Sequence, residues 1–382
     1  MPWESKTVEK LREEFVLAAS EKRNFSALCR EFGISRKTGY KWIKRDSEGL
    51  PLSDQSRRPA YTSNRTPDEI EQLILALRDE NPGWGARTIK TVLDRAGYLG
   101  IPCVKTVNNI LKRNNRISLE ESLKHQSVQR FEREHCNELW QTDFKGEFLM
   151  NDGKYCYPLD IIDDSSRFLI CIKPSLSTAN VVIPCFEAVF REYGLPDAIL
   201  SDNGAQFAGF RQGYTQFEKW LMQLDVLPIH GRVKHPQTQG KIERFHRTLK
   251  SELLSQKKFE NIDDANRQIQ EWRTKYNHVR PHEALGMKCP GEVYVPSLKS
   301  YPEKKSVYEY SGQYHVIKVN SWGYVRFDGQ RIYLSETMVN EFVEFRPNPH
   351  GDSFIVCYRN FKIAEFSSID GKLINRKISR LH

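Results

Sequence analysis

Residues 136–254 constrain the fold of this chain most, because apolar runs of strand length alternate there with helical patterns. Run length and apolar spacing distinguish the two kinds of element. The predicted strands are 140–149, 155–163, 168–173, 198–201 and 226–230, and the predicted helices are 179–193, 214–225 and 239–254. Three hairpin-connected strands followed by alternating helices and strands indicate a mixed α/β sheet with helices on both faces. We assign residues 136–297 to this domain.

Three acidic residues stand out in the α/β domain. Asp143 lies in the first strand, Asp202 follows the apolar run of the fourth strand, and Glu243 begins the long basic helix. Clustered carboxylates repel each other by about 4 kcal/mol per pair at 4 Å and an effective dielectric near 20. Divalent cations relieve this repulsion, and a pair of them about 3.5–4 Å apart promotes phosphodiester chemistry. The three acids therefore predict a metal site that acts on DNA.

The helix that carries Glu243 combines two patterns. Its predicted buried stripe is Ile242, Phe245, Leu249 and Leu253. An adjacent face holds Glu243, His246, Arg247 and Lys250, so that a metal ligand lies beside three groups suited to phosphate. The alternative is a surface acid paired with Arg247. Three rival acids lie nearby at Asp160, Asp163 and Asp164. The last two begin a turn whose Ser165, Ser166 and Arg167 can satisfy them, so we predict a structural role.

Residues 1–50 follow helix-turn-helix spacing. Ser26 and Ser35 are predicted caps of two short helices, separated by a turn at Gly33. The second helix carries the candidate DNA contacts Arg36, Lys37, Lys41 and Lys44. Basic residues in such a recognition helix meet the major groove and the phosphates. The alternative is an ordinary three-helix bundle with solvated basic residues.

A linker at 51–65, rich in proline, serine and arginine, precedes a second helical unit. Residues 66–115 predict three helices, with Thr66 as the cap and Pro67 at the first position of the first helix. We interpret this unit as a second helix-turn-helix domain, with candidate DNA contacts at Lys105, Asn108 and Lys112. The alternative is a helical spacer. Residues 116–135 are predicted to connect it to the α/β domain.

The C-terminal region is rich in strands. Residues 301–370 alternate apolar runs with turn signals, which predicts a small β-barrel, and 371–382 form a basic tail that we expect to be loose.

The net charge of +9 is consistent with a polyanionic partner. No apolar run approaches the roughly 20 residues that span a bilayer, and the N-terminus lacks the apolar segment of a signal peptide, so we expect a cytoplasmic protein. Eight scattered cysteines without a Cys-x-x-Cys pair argue against a disulfide framework or a structural zinc site.

Three segments resemble the signature segments of the DDE integrase core, which retroviral integrases and bacterial insertion-sequence transposases share. They are Trp140-Gln-Thr-Asp143, Ser201-Asp-Asn-Gly204 and His235-Pro-Gln-Thr-Gln-Gly-Lys-Ile-Glu-Arg-Phe-His246. The resemblance implies a ribonuclease-H-like fold and a polynucleotidyl transferase that cleaves DNA and transfers strands. It also implies two Mg²⁺ or Mn²⁺ ions per active site, held by Asp143, Asp202 and Glu243.

The flanking domains look like those of transposases that recognise terminal inverted repeats. The implied partners are double-stranded DNA, as element ends and target, and further copies of the chain assembled on it, with neither a membrane nor a small-molecule substrate. The implied location is the bacterial cytoplasm, on the nucleoid when DNA is bound. The absence of the histidine/cysteine zinc module of retroviral integrases favours the bacterial class. The spacing between Asp202 and Glu243, 40 residues, exceeds the family's commonest spacing. We expect the surplus to form a loop at 208–213.

The basic residues around Glu243 are predicted to hold phosphate rather than to perform chemistry. They are Lys234, His235, Lys241, Arg244, His246, Arg247 and Lys250. Two other functions fit parts of the sequence. A domesticated DNA-binding regulator would keep the helix-turn-helix domains, but the three intact acids speak against it. A ribonuclease-H-like nuclease would use the acids, but it has no need of two sequence-reading domains.

Overall fold

The computed structural model describes residues 7–21, 24–54, 65–117, 133–209, 213–231, 240–304, 307–349 and 353–381. The chain divides into two compact units, Met1–Arg65 and Thr66–His382. No helix in these ranges is both long and apolar enough to cross a membrane.

The first unit is a three-helix domain built from α1 (Val8–Ser20), α2 (Phe25–Glu31) and α3 (Arg36–Ser47). Its core contains Phe15, Leu28, Cys29, Trp42 and Leu52. Ser35 caps α3 as predicted, by accepting a hydrogen bond from the Thr38 N–H. The prediction that Ser26 caps α2 is wrong. Asn24 takes that place, because its side-chain oxygen accepts from the N–H groups of Ser26 and Ala27.

Gly39 lies where α3 approaches its neighbours most closely. A Cβ atom at this position would stand 2.9 Å from the rings of Phe15 and Phe25 and 3.0 Å from the Cys29 sulfur. We expect Gly39→Ala to destabilise this unit by about 1–3 kcal/mol, because the overpacked core must shift. Hydrogen-exchange mass spectrometry of peptides covering residues 24–47 measures the change. Ser47→Ala, at the exposed end of α3, is the control and should exchange like the wild type.

The second unit opens with α4 (Asp68–Glu80), α5 (Ala86–Arg95) and α6 (Val104–Arg113), which pack around Ile74, Trp84, Ile89 and Val107. The predicted Thr66 cap is not formed, because Pro67 occupies the cap position of α4 and no side chain bonds there. The α5 helix is joined to the α/β domain by ion pairs from Arg87 to Glu283 and from Arg95 to Glu292. Of the predicted connector at 116–135, residues 118–132 lie outside the described part of the chain.

The α/β domain contains a five-stranded sheet in the order β5-β4-β1-β6-β7. Its strands are β1 (Trp140–Phe144), β4 (Leu159–Asp163), β5 (Leu169–Lys173), β6 (Ala198–Ser201) and β7 (Leu227–His230). β1 runs antiparallel to β4 and parallel to β6, as the mixed-sheet prediction requires. The first two predicted strands each break in two. The first turns at Gly146, which adopts a positive φ, and the second is interrupted at residues 157–158. Their outer halves form a separate ribbon of β2 (Phe148–Leu149) and β3 (Tyr155–Cys156).

Helices cover both faces of this sheet. The first face packs on α7 (Val182–Tyr193) and α8 (Gln216–Gln223), around Trp140, Phe186 and Phe190. The second packs on α9 (Gly240–Leu249), which continues as a π-helical turn (Lys250–Leu254), and on α10 (Ile262–His278). The predicted stripe of α9 and its extension is confirmed, because Ile242, Phe245, Leu249 and Leu253 are all buried. The predicted α/β architecture with helices on both faces is therefore confirmed.

The predicted β-barrel is wrong in one respect: the C-terminal sheet is open. Its strands are β8 (His315–Lys318), β9 (Tyr324–Phe327), β10 (Gln330–Tyr333), β11 (Phe342–Pro347), β12 (Ser353–Tyr358), β13 (Phe361–Ser367), β14 (Lys372–Ile374) and β15 (Ser379–Arg380). The order is β14-β13-β12-β11-β8, with β15 also on β13, while β9 and β10 form a two-stranded sheet of their own. Among the described residues no pairing joins β14 to β8, which closure would require. The basic tail is not loose, since β14 and β15 lie within it.

The C-terminal sheet packs against the segment that leads into α8. Tyr214 lies in the core of that sheet, and its hydroxyl donates to the Ile363 carbonyl at 2.8 Å. The Ser335 hydroxyl accepts from the Tyr214 N–H at 3.0 Å. Residues 210–212 of the predicted loop lie outside the described residues, but the chain that follows them is buried against another domain.

Candidate active site

Asp143 and Asp202 lie at the carboxyl ends of two adjacent parallel strands. Asp143 is in β1, and Asp202 directly follows β6. Parallel neighbours end at the same edge of a sheet, so the topology brings the two acids together. Burial raises the pKa of Asp143 to about 6, and the charge of Asp202 adds to this while His246 opposes it. The two aspartates are therefore close enough to repel each other.

This repulsion and the hard oxygen donors of the two carboxylates fit a divalent cation. Glu243, the third predicted ligand, is exposed in the first turn of α9. Within the described residues, no group of three or more histidine, cysteine, aspartate or glutamate side chains is arranged to hold a metal ion. The structure thus pairs two of the predicted ligands and leaves the third on a helix beside them.

The metal-free protein should become more stable as pH falls through the pKa of Asp143. The folded-state pKa lies above the ordinary aspartate value of 3.8, so the charged form is the disfavoured one, and protonation relieves a cost of about 3 kcal/mol at pH 7. We expect Asp143→Asn to raise the free energy of unfolding at pH 7 by up to this amount. Between pH 7 and pH 5 that free energy should increase less in the variant than in the wild type. Urea denaturation in EDTA measures both. A pH dependence shared by the wild type and the variant would contradict the assignment.

Helix α9 is bound to the sheet by polar contacts on either side of Glu243. Before it, the Lys241 ammonium donates to the Asp164 carboxylate, and the Ile242 N–H donates to Gln141 Oε1 at 3.3 Å. After it, His246 Nε2 donates to Asp160 Oδ2 at 2.8 Å. The other ring nitrogen of His246, Nδ1, is 4.0 Å from Asp143 Oδ2.

Two of the predicted DNA contacts have partners inside the protein. The Lys241 side chain is 14% exposed and pairs with the buried Asp164, and its contact with phosphate stays a prediction. His246 is 13% exposed and faces two carboxylates, and its contact with phosphate likewise stays a prediction. Sequence reasoning missed both pairs. The signal available for the second was the hairpin register, which places Asp160 opposite Asp143.

Asp163 and Asp164 have internal partners, in agreement with the structural role predicted for them. Asp163 accepts from the Ser166 hydroxyl at 2.6 Å and from the Asn137 N–H at 2.8 Å. Burial raises the pKa of Asp163, and the bond from Ser166 opposes that rise. Asp164 accepts from Gln141 Nε2 at 2.7 Å. The turn 163–167 is thus fastened to β1 and to α9.

A further network that sequence reasoning missed supports the end of β6. The Ser201 hydroxyl and His230 Nδ1 are 3.2 Å apart, and His230 Nε2 is 2.8 Å from Glu218 Oε1. Glu218 also completes a capping box with Thr215 at the start of α8. The Thr-x-x-Glu spacing was the available signal. The network fixes β6, β7 and α8 relative to each other next to Asp202.

The remaining predicted DNA contacts lie on exposed surfaces. On α3 all four predicted contacts are exposed, namely Arg36, Lys37, Lys41 and Lys44. On α6, Lys105 and Lys112 are exposed and Asn108 is partly buried. Arg244, Arg247 and Lys250 are exposed on α9 and its π-helical extension. Lys234 and His235 lie outside the described residues.

Comparisons with known proteins agree with this architecture. Two models described as an integrase core domain match residues 133–236 and 224–290. A helix-turn-helix domain model matches residues 11–60, and a homeodomain-like model matches residues 38–111. The N-terminal part of the chain is therefore similar to helix-turn-helix domains, and residues 133–290 are similar to an integrase core domain.

The similar proteins include products of bacterial insertion elements. The chain is 30% identical over 159 residues to a 39.2 kDa protein of insertion element IS476 from Xanthomonas euvesicatoria, a match that covers 41% of this chain and 44% of that protein. It is 25% identical over 284 residues to a 31.7 kDa protein of insertion element IS407 from Burkholderia multivorans, covering 72% of this chain and 92% of that protein. The predicted resemblance to insertion-sequence transposases with a DDE integrase core is confirmed.

Among solved structures, the HTLV-2 integrase catalytic core domain in complex with magnesium matches with 17% identity and a TM-score of 0.32. The match covers 41% of this chain and 95% of that one.

Proposed function

We propose that this chain is a transposase that binds the terminal inverted repeats of a mobile element and catalyses DNA cleavage and strand transfer. The observation that carries the proposal is the pair of Asp143 and Asp202 at adjacent strand ends of an integrase core domain. Electrostatic repulsion between the two acids supports a cation at this edge. The helix-turn-helix domains supply the means to select a DNA site.

Asp143, Asp202 and Glu243 are the proposed ligands of Mg²⁺ or Mn²⁺, two ions per active site. Such ions activate the attacking oxygen and stabilise charge on the leaving oxygen. The protein's own contribution is to hold the two aspartates at one sheet edge and to present Glu243 from α9. Gly204 helps to fix Asp202, since its N–H donates to Asp202 Oδ1 at 2.9 Å. That bond leaves Asp202 Oδ2 available for a ligand.

The exposed basic residues of α3 and α6 are the proposed contacts with the element ends. Arg244, Arg247 and Lys250 are the proposed phosphate contacts near the acids, because they share α9 and its extension with Glu243. Transposition joins two DNA ends to a target, so we propose that copies of the chain assemble on DNA into a homo-oligomer.

Cleavage of the element's own end tests the function directly. The protein is incubated with a labelled duplex that carries the terminal repeat, with Mg²⁺ or with EDTA. We expect a nick at the 3′ end of the element that depends on Mg²⁺, and joined products when target DNA is added. A duplex with a scrambled repeat and an RNA–DNA hybrid are the controls. Cleavage of the hybrid in preference to the repeat would instead indicate a ribonuclease-H-like nuclease.

The role of α3 predicts a measurable effect of one lysine. Lys41→Gln should weaken DNA binding and lower the slope of log K against log salt by about 0.9, the value for one phosphate contact. Fluorescence anisotropy with the terminal repeat measures the slope. Lys10→Gln, at an exposed position of α1, is the control and should keep the wild-type slope. Equal slopes for the two variants would remove Lys41 from the interface.

A further inference from the structure

Asp160 is a buried acid that no step of the proposed chemistry uses. It lies on β4 directly opposite Asp143 on β1, and none of its surface is exposed. Its Oδ2 accepts from His246, whereas Oδ1 is buried with no hydrogen-bond partner among the described residues. Burying a carboxylate is costly unless a partner compensates for its charge. The described partner of Asp160 is the imidazole of His246.

His246 connects this buried acid to the active site. Its Nε2 is engaged by Asp160, so the ring presents Nδ1 toward Asp143 at 4.0 Å. The ring therefore lies between two carboxylates that occupy opposite positions on neighbouring strands. Like charges at such positions repel, and an intervening imidazole reduces that repulsion.

The same bond is one of the contacts that hold α9 in its rotation. Glu243 and His246 are three residues apart, close to one helical turn, so they lie on neighbouring parts of one helix face. Lys241 and Ile242 bind Asp164 and Gln141 on the N-terminal side of Glu243, and His246 binds Asp160 on its C-terminal side. Glu243 is thus held between contacts to β1, β4 and the turn after β4. Any loss of the Asp160–His246 bond should let this helix turn or slide.

We infer that Asp160 and His246 are positioning residues for the proposed transposase site. Asp160 orients the imidazole of His246, and His246 in turn fixes both the Asp143 carboxylate and the rotation of the helix that carries Glu243. The inference rests on the proposed function only for its effect on catalysis. Carboxylates that orient a metal-ligating histidine typically contribute 10- to 100-fold to metal affinity or activity, and we take this range for a histidine that lies beside the proposed metal site.

The test compares His246→Ala, Asp160→Val and Asp160→Asn with a control on the same helix. Asparagine keeps an oxygen that accepts from His246 Nε2, whereas valine does not. The control is Thr248→Ala, because among the described residues the Thr248 hydroxyl bonds to the Arg244 carbonyl of its own helix alone. Two readouts use the full chain without DNA: the affinity for Mn²⁺ by electron paramagnetic resonance, and hydrogen exchange of residues 240–249. A third is the separation of kcat from KM in end cleavage.

We expect His246→Ala and Asp160→Val to weaken Mn²⁺ binding about tenfold, to lower kcat about 10- to 100-fold and to leave KM for the DNA end unchanged. The amides of α9 should exchange faster in both variants. Asp160→Asn should restore most of each loss, and Thr248→Ala should match the wild type. Since His246→Ala leaves Asp160 in place, it carries the test if Asp160→Val does not fold.

Two results would overturn the inference. Wild-type Mn²⁺ affinity and kcat in His246→Ala, with only a lower melting temperature, would reduce the pair to a structural bond. A raised KM with unchanged kcat would make His246 a phosphate contact instead. If the wild-type chain binds Mn²⁺ but cleaves no DNA, the proposed function fails while the Mn²⁺ and exchange measurements still decide the positioning role.

Discussion

Asp143→Asn is expected to lower Mg²⁺-dependent end cleavage by at least about 1000-fold. A proposed metal ligand that loses its charge removes several kcal/mol of transition-state stabilisation, and about 4 kcal/mol corresponds to this factor. Binding of the terminal repeat should stay within about twofold of the wild type, because the helix-turn-helix domains are untouched. Single-turnover cleavage and anisotropy measure the two quantities on the same duplex.

The matched control is Asp152→Asn. Asp152 is an exposed acid of the same domain, in the turn between β2 and β3, where its carboxylate accepts from the Lys154 N–H. This variant should cleave at the wild-type rate. Strand transfer retained by Asp143→Asn would contradict the proposal. An equal loss of cleavage activity in both variants would also contradict it. A melting curve for each variant separates a chemical loss from unfolding.

DNA binding should be steeply dependent on salt. If six phosphates are contacted, the association constant falls by about 1000-fold between 50 and 200 mM salt, because each neutralised phosphate releases condensed counterions. The exposed basic residues of α3 and α6 and the net charge of +9 motivate this expectation. Anisotropy titrations at four salt concentrations give the slope. A change smaller than about tenfold would contradict phosphate recognition by these helices.

Asp143→Asn offers a control for the salt experiment, since it should give the same slope as the wild type. A lower salt slope in that variant would mean that the sheet edge with Asp143 and Asp202, rather than the helix-turn-helix domains, dominates DNA affinity. A duplex with a scrambled repeat separates the two contributions further. The salt slope for the scrambled duplex should equal that for the terminal repeat, because phosphate contacts do not depend on base sequence. The affinity of the protein for the scrambled duplex should be lower.

The sequence alone determined the α/β core and its two aspartates. Strand and helix periodicity located the five strands of the sheet, and the resemblance to the DDE integrase core grouped Asp143 with Asp202. The parallel pairing of β1 with β6 brings these two acids to one edge. The buried stripe of α9 followed from apolar spacing alone. These features depend on local pattern and on the few topologies that such a pattern permits.

Tertiary structure decided the polar pairs and the closure of the C-terminal sheet. Whether His246 faces phosphate or Asp160 depends on the rotation of a helix relative to strand register, and helical spacing does not determine it. The same holds for Lys241 and Asp164, residues far apart in the chain. Alternating strands are compatible with an open sheet and with a barrel, because closure depends on whether the first and last strands pair. Periodicity assigns residues to faces, but long-range packing determines which faces and edges meet.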